Sequence, residues 1–132
     1  MGYRVIRVLL DTHALVWWVE GREKLSAKAR EAIEDADTVV LVSAASAWEL
    51  AIKSRLGKFK SRELAHGLDE QIQEEGFVAL PISIEHALRA GGLASPHKDP
   101  FDRMLIAQAQ IEDVSVISKD KAFDNFAVRR LW

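Results

Sequence analysis

The stretch Val5-Ile6-Arg7-Val8-Leu9-Leu10-Asp11-Thr12-His13-Ala14-Leu15-Val16-Trp17-Trp18-Val19-Glu20-Gly21 sets the architecture of the chain. Its first six residues are apolar and β-branched around a single arginine, which predicts a strand over Val5–Leu10. A short helix is predicted over His13–Glu20, with Gly21 ending it. A strand that passes through an acid into a helix is how a strand–helix–strand unit begins, with parallel strands joined by helical crossovers.

The same alternation continues downstream. Ser26 is placed to cap a helix over Ala27–Ala36, where Leu25, Ala29, Ile33 and Ala36 share a face. Thr38–Val42 is apolar almost throughout, as expected of a strand covered on both faces. Ser43–Leu56 returns to a helical period, with Trp48, Ile52 and Leu56 four apart and Gly57 as a stop. A further helix is expected over Arg62–Glu75, and a short strand over Phe77–Pro81. Ser83 caps a helix over Ile84–Ala90 that Gly91 and Gly92 end, and Pro100 opens one reaching Glu112. Val114–Ser118 reads as a fourth strand and Ala127–Leu131 as a short last one. No two-residue hairpin turn separates any of the strands. The expected fold is therefore an α/β sandwich with a central parallel sheet of four to five strands flanked by helices.

With 132 residues, one compact domain over 1–132 is expected. The formal net charge of −2 excludes a uniformly basic nucleic-acid coat, though not local basic patches. The chain has no cysteine, which excludes disulfide frameworks, thiolate nucleophiles and cysteine zinc sites, and suits a reducing cytoplasm. The most apolar stretch, Val8–Val19, is short and carries Asp11 and His13, so no membrane association is expected. The start of the chain lacks a signal-peptide pattern.

In an open parallel sheet the functional crevice lies beyond the carboxyl ends of the strands. Asp11 follows the first strand, Glu49 lies about a turn beyond the second, and Asp120 follows the fourth. Asp99 and Asp102 flank the start of the helix that Pro100 opens. Each has a purely local reading as well. Asp99 is a good N-cap before Pro100, and Asp102 suits the positive end of a helix dipole. Ser46-Ala47-Trp48-Glu49 matches a capping box, and Asp120 can cap a short helix reaching Phe123. Asp11 is harder to explain locally, because a carboxylate at the tip of a buried strand needs a partner or a cation. Several carboxylates held together repel one another, and a divalent cation is the natural compensation. Oxygen donors without cysteine favour Mg²⁺ or Mn²⁺, ions suited to polarising a phosphodiester and lowering the pKa of water.

Four stretches together resemble the PIN-domain ribonucleases, specifically the VapC-like toxins of type II toxin–antitoxin pairs. They are Leu9-Leu10-Asp11-Thr12-His13-Ala14-Leu15-Val16-Trp17-Trp18; Val42-Ser43-Ala44-Ala45-Ser46-Ala47-Trp48-Glu49-Leu50; Asp99-Pro100-Phe101-Asp102-Arg103-Met104-Leu105-Ile106-Ala107-Gln108-Ala109; and Val116-Ile117-Ser118-Lys119-Asp120-Lys121-Ala122-Phe123. Their order and spacing cover essentially the whole chain. The resemblance implies a PIN domain whose acidic residues Asp11, Glu49, Asp102 and Asp120 surround Mg²⁺ or Mn²⁺, with Asp120 bound directly or through water. Asp99 would stand behind that group or cap its helix. Thr12, Ser46 and Ser118 match small hydroxyl positions that orient carboxylates or water, or else bond locally. The resemblance further implies an endoribonuclease toxin that inhibits translation, a homodimer, and neutralisation by a VapB-like antitoxin.

The basic stretch Lys53, Arg55, Lys58, Lys60 and Arg62 suits RNA phosphate contact, while a solvated helix end with Lys53 pairing Glu49 explains it equally simply. Arg103 and Lys119 adjoin acidic positions, where each can meet substrate phosphate or brace a carboxylate. His13 and His97 lack matched neighbours and read as structural or peripheral. Trp17, Trp18 and Trp48 lie on apolar helical faces and read as packing residues more readily than as base-stacking ones. Two other functions compete. One is a catalytically inactive PIN-like module that binds RNA or protein. The other is a haloacid-dehalogenase-like phosphatase, which needs a second acid two residues after the strand-end aspartate, where His13 stands.

Overall fold

The computed structural model describes residues 6–58 and 62–132. Val5, expected to begin the first strand, and Lys60 of the basic stretch lie outside them. The described elements are β1 (Ile6–Leu10), α1 (Thr12–Glu20), α2 (Ala27–Glu34), β2 (Thr38–Ser43), α3 (Ala44–Arg55), α4 (Arg62–His66), α5 (Leu68–Glu74), β3 (Val78–Leu80), α6 (Ile84–Gly92), α7 (Pro100–Glu112), β4 (Ser115–Ile117) and β5 (Arg130–Leu131).

All strand pairs are parallel, and the sheet has the order β3-β2-β1-β4-β5. β1 is central, with Leu9 opposite Leu41 on one side and Val116 on the other. Its residues alternate between two cores. Val8 and Leu10 join Val40, Val42 and Ile117 under α1 and α2, with Leu50 of α3 and Leu68 and Ile72 of α5. Leu9 joins Leu41 and Val116 under α7, against Leu105, Ile106, Ala109 and Phe123. Each such fully buried aliphatic side chain stabilises the fold by about 1.5–3 kcal/mol relative to exposure. Helices on both faces are why β1 and β2 read as continuous apolar runs instead of alternating ones.

The expected helix over Arg62–Glu75 is two helices. Gly67 interrupts it, and its N–H bonds back to the Glu63 carbonyl at 2.9 Å. The two halves bury Leu64 and then Leu68 and Ile72 in the same core. The last strand covers only Arg130–Leu131, paired with Val116 and Ile117. Among the described residues, no helix is long and apolar enough to cross a membrane.

The chain runs outward from β1 to β2 and β3, then returns to place β4 on the other side of β1. Connections therefore leave the carboxyl ends of β1 and β4 in opposite directions. A crevice opens between them, and ligands bind in such crevices in open α/β sheets.

Candidate active site

Asp11 sits in that crevice. Its N–H donates to the Ile117 carbonyl at 3.1 Å, carrying the β1–β4 pairing one residue beyond the strand. Its Oδ1 accepts from the Ala14 N–H at 2.8 Å, so Asp11 is the N-cap of α1. The helix therefore begins at Thr12, one residue before the expected His13. Asp11 is only 7% exposed. Burial pushes its carboxyl above the usual range, and the nearby Glu49 charge adds to this; hydrogen bonds from Ser118 and Ala14 and the charge of His13 oppose it.

Glu49 enters from α3 and is 5% exposed, with the Lys53 ammonium bonded to its Oε2 one turn further on. The capping box expected at Ser46 is not formed. β2 passes into α3 without a connecting residue, so Ser43 is the cap, its Oγ accepting from the Ala45 N–H at 3.0 Å. Ser46 lies inside the helix instead, where its Oγ accepts from the Thr12 hydroxyl at 3.1 Å. That buried bond ties the start of α1 to α3 between Asp11 and Glu49, and Glu49 has no capping duty.

Asp102 comes from the first turn of α7. Asp99 caps that helix as expected, its Oδ1 accepting from the N–H groups of Phe101 at 2.9 Å and Asp102 at 3.1 Å. The Asp102 carboxyl is pushed up to about 6, chiefly by burial; the charges of Asp99 and Glu49 reinforce this and a hydrogen bond from His97 opposes it. His97 Nε2 lies 3.1 Å from Asp102 Oδ2. In the sequence His97 is an isolated histidine in an irregular segment, where no periodic signal marks it.

The Glu49 charge adds a minor contribution to the raised carboxyls of both Asp11 and Asp102, behind the burial that dominates each. Asp120 stands apart at the rim. It is exposed and caps the short turn Lys121–Asn125, accepting from the Ala122 N–H at 2.9 Å. Its own N–H donates to Ser118 Oγ at 3.0 Å. The buried Ser118 hydroxyl therefore touches both Asp11 and the Asp120 backbone.

The cationic candidates divide. Lys53 is on Glu49, Lys119 is exposed between Ser118 and Asp120, and Arg55 and Lys58 are exposed. The Arg103 guanidinium is bonded to backbone carbonyls of residues 90–97. Trp18 is buried in the core, whereas Trp48 is 61% exposed.

Among the described residues, no three acids or histidines enclose a point where an ion fits as they are placed. The donor chemistry nevertheless fits a hard divalent cation. The buried carboxylates of Asp11 and Glu49 and the half-buried one of Asp102 come from three parts of the fold, and the single charge of Lys53 offsets only part of theirs.

Residues 8–129 match the PIN domain family. The chain belongs to that family. Its PIN domain is 32% identical over 117 residues to Ribonuclease VapC22 of Mycobacterium tuberculosis, a match covering 86% of this chain and 87% of the relative. The fold is similar to VapBC2 from Rickettsia felis, solved with a DNA fragment from its promoter, with a TM-score of 0.66 at 14% identity over 95% of this chain and 97% of that one. It is also similar to FitAcB from Neisseria gonorrhoeae, with a TM-score of 0.59 at 19% identity over 93% and 95% of the two chains.

The raised carboxyls of this PIN domain give a pH dependence with a definite sign. A carboxyl whose pKa is higher in the folded chain holds its proton more tightly there, so its stabilising contribution is full below the unfolded pKa and is lost as pH rises through the folded one. For Asp102 that window runs from 3.8 to about 6. In thermal unfolding without metal, wild type should lose stability relative to Asp102→Asn on going from about pH 5 to about pH 7. Parallel curves for the two proteins would contradict the burial of this charge.

Proposed function

We propose that this PIN domain is a Mg²⁺- or Mn²⁺-dependent endoribonuclease, the toxin of a toxin–antitoxin pair, which cuts cytoplasmic RNA and so inhibits translation. The observation that carries this reading is the burial of the Asp11 and Glu49 carboxylates, from the end of β1 and from α3, at the sheet switch point, with Asp102 entering from the first turn of α7. The similarity to a protein named ribonuclease supports the choice of RNA.

Asp11, Glu49 and Asp102 would hold the cation, which when bound supplies charge for the scissile phosphate and acidifies water. Asp11 is fixed by Ala14 and Ser118, so one carboxylate is oriented before any ligand arrives. Thr12 and Ser46 keep α1 and α3 at constant separation, and with them Asp11 and Glu49. Asp99 fixes the first turn of α7 beneath Asp102. Asp120, exposed at the rim, would position water, and the exposed Lys119 beside it would contact the phosphate backbone. Water adds to phosphorus in line, the bond to the 3′ oxygen breaks, and the products carry 5′-phosphate and 3′-hydroxyl ends.

The partners in this reading are a VapB-like antitoxin and a second copy of the chain. A second copy is supported by apolar surface on α3 and α6: Ile84 and Leu88, one turn apart, are 79% and 73% exposed, and a hollow of about 210 Å³ joins Trp48 to Ile82. Leu88→Arg should convert a dimer to a monomer in sedimentation equilibrium; a monomeric wild type, or a variant that still dimerises, removes this surface from the account.

Purified protein with Mg²⁺ or Mn²⁺ should cleave RNA to the stated ends. Asp11→Asn should lose cleavage by at least about a hundredfold while staying folded, since asparagine keeps the acceptor for Ala14 without the charge. Equal cutting by the variant, free of contaminating nuclease, would sink the proposal. Metal-independent binding of RNA or protein without cleavage would point to the inactive binding module.

A further inference from the structure

Arg103 makes one of the densest sets of hydrogen bonds in the molecule. Its guanidinium donates to the carbonyls of Ala90 at 3.0 Å, Gly91 at 3.4 Å, Leu93 at 2.8 Å, Ser95 at 3.3 Å and His97 at 3.1 Å. The first two belong to the end of α6, where carbonyls lack helical partners, and the others to the irregular connection into α7. A planar group with five N–H donors can satisfy all of them from one point, which a lysine ammonium cannot.

That clamp ends at the acidic site. The His97 carbonyl is on Arg103, its N–H donates to Ser95 Oγ at 3.2 Å, and its ring meets Phe126 edge-on with centroids 6.0 Å apart. The remaining contact is Nε2, 3.1 Å from Asp102 Oδ2. Asp102 and Arg103 are neighbours in the chain, so His97 is gripped from its backbone by one and reaches the other with its ring. Pinning Oδ2 fixes the plane of the Asp102 carboxylate and hence the direction of Oδ1. A half-buried aspartate without such a partner would lose rotamer freedom on binding an ion.

We propose that His97, held in place by Arg103, is a positioning residue that orients the Asp102 carboxylate for a divalent cation. This rests on the cation-binding role proposed for Asp102. The contact needs only a proton on Nε2, which both the neutral Nε2–H tautomer and the imidazolium carry. Arg103 then acts through His97, at a distance from the ion.

The test is calorimetric titration of the metal-free protein with Mn²⁺, alongside RNA cleavage kinetics. His97→Ala should weaken Mn²⁺ binding about 10- to 100-fold, in line with loss of a partner that orients a ligand. Added imidazole should restore part of that loss, and His97→Gln, which keeps an N–H donor, should lose less. Arg103→Lys should weaken Mn²⁺ binding with His97 intact, and these two milder variants carry the test if His97→Ala does not fold. Cleavage should fall in kcat with little change in KM for RNA. A loop that merely stabilises the fold predicts lower thermal stability with unchanged Mn²⁺ affinity and no imidazole rescue, and that result overturns the proposal. If wild type binds Mn²⁺ and cuts RNA while all three variants bind Mn²⁺ as it does, this inference alone fails. If wild type binds no Mn²⁺, the proposed function fails and this inference with it.

Discussion

Burying the Asp11 carboxylate at the tip of the central strand constrains everything built around it. A carboxylate withdrawn from water is costly unless its oxygens find donors or opposite charge. The fold meets part of that cost locally: Ala14 donates from the first turn of α1, Ser118 donates from the end of β4, and the N-terminal dipole of α1 favours negative charge there. Glu49 adds a second buried carboxylate instead of relieving the first. The arrangement makes physical sense as a site prepared for positive charge, with Lys53 covering one member of it.

This bears on the net charge of the chain. A surplus of acids gives −2 overall, which taken alone argues against an RNA partner. Asp11, Glu49 and Asp102 are withdrawn into the crevice, however, while Arg55, Lys58 and Lys119 are exposed. A bound divalent cation would offset further negative charge where a phosphate must approach. The placement of charge therefore governs what the surface offers to RNA, more than the sum does.

Most of the architecture was legible because it depends on long apolar runs. β1 and β2 are buried on both faces and could be read from composition alone, and Ser26, Ser83 and Asp99 cap the helices they were expected to cap. The candidate acids stand out by their places along the chain: Asp11 and Asp120 follow strands, Asp102 lies in the first turn of a helix, and Glu49 lies more than a turn beyond β2. What could not be read was how side chains are shared across elements. Ser46 has the spacing of a capping box, yet the direct passage of β2 into α3 moves the cap to Ser43 and leaves Ser46 for Thr12. Arg103 beside an acid suggests phosphate, yet unsatisfied carbonyls of α6 and the following connection claim its guanidinium. His97 depends on the same connection, whose path no local pattern encodes. The break at Gly67 was hidden because both helices keep one apolar face.

The proposed chemistry requires Asp11, Glu49 and Asp102 to form one cation site. The most direct measurement is an anomalous difference map from crystals of this protein grown with Mn²⁺. A peak bounded by those three carboxylates is expected, with Glu49 turned from Lys53 toward the ion. No peak there, or one held by other residues while Lys53 remains on Glu49, would contradict it.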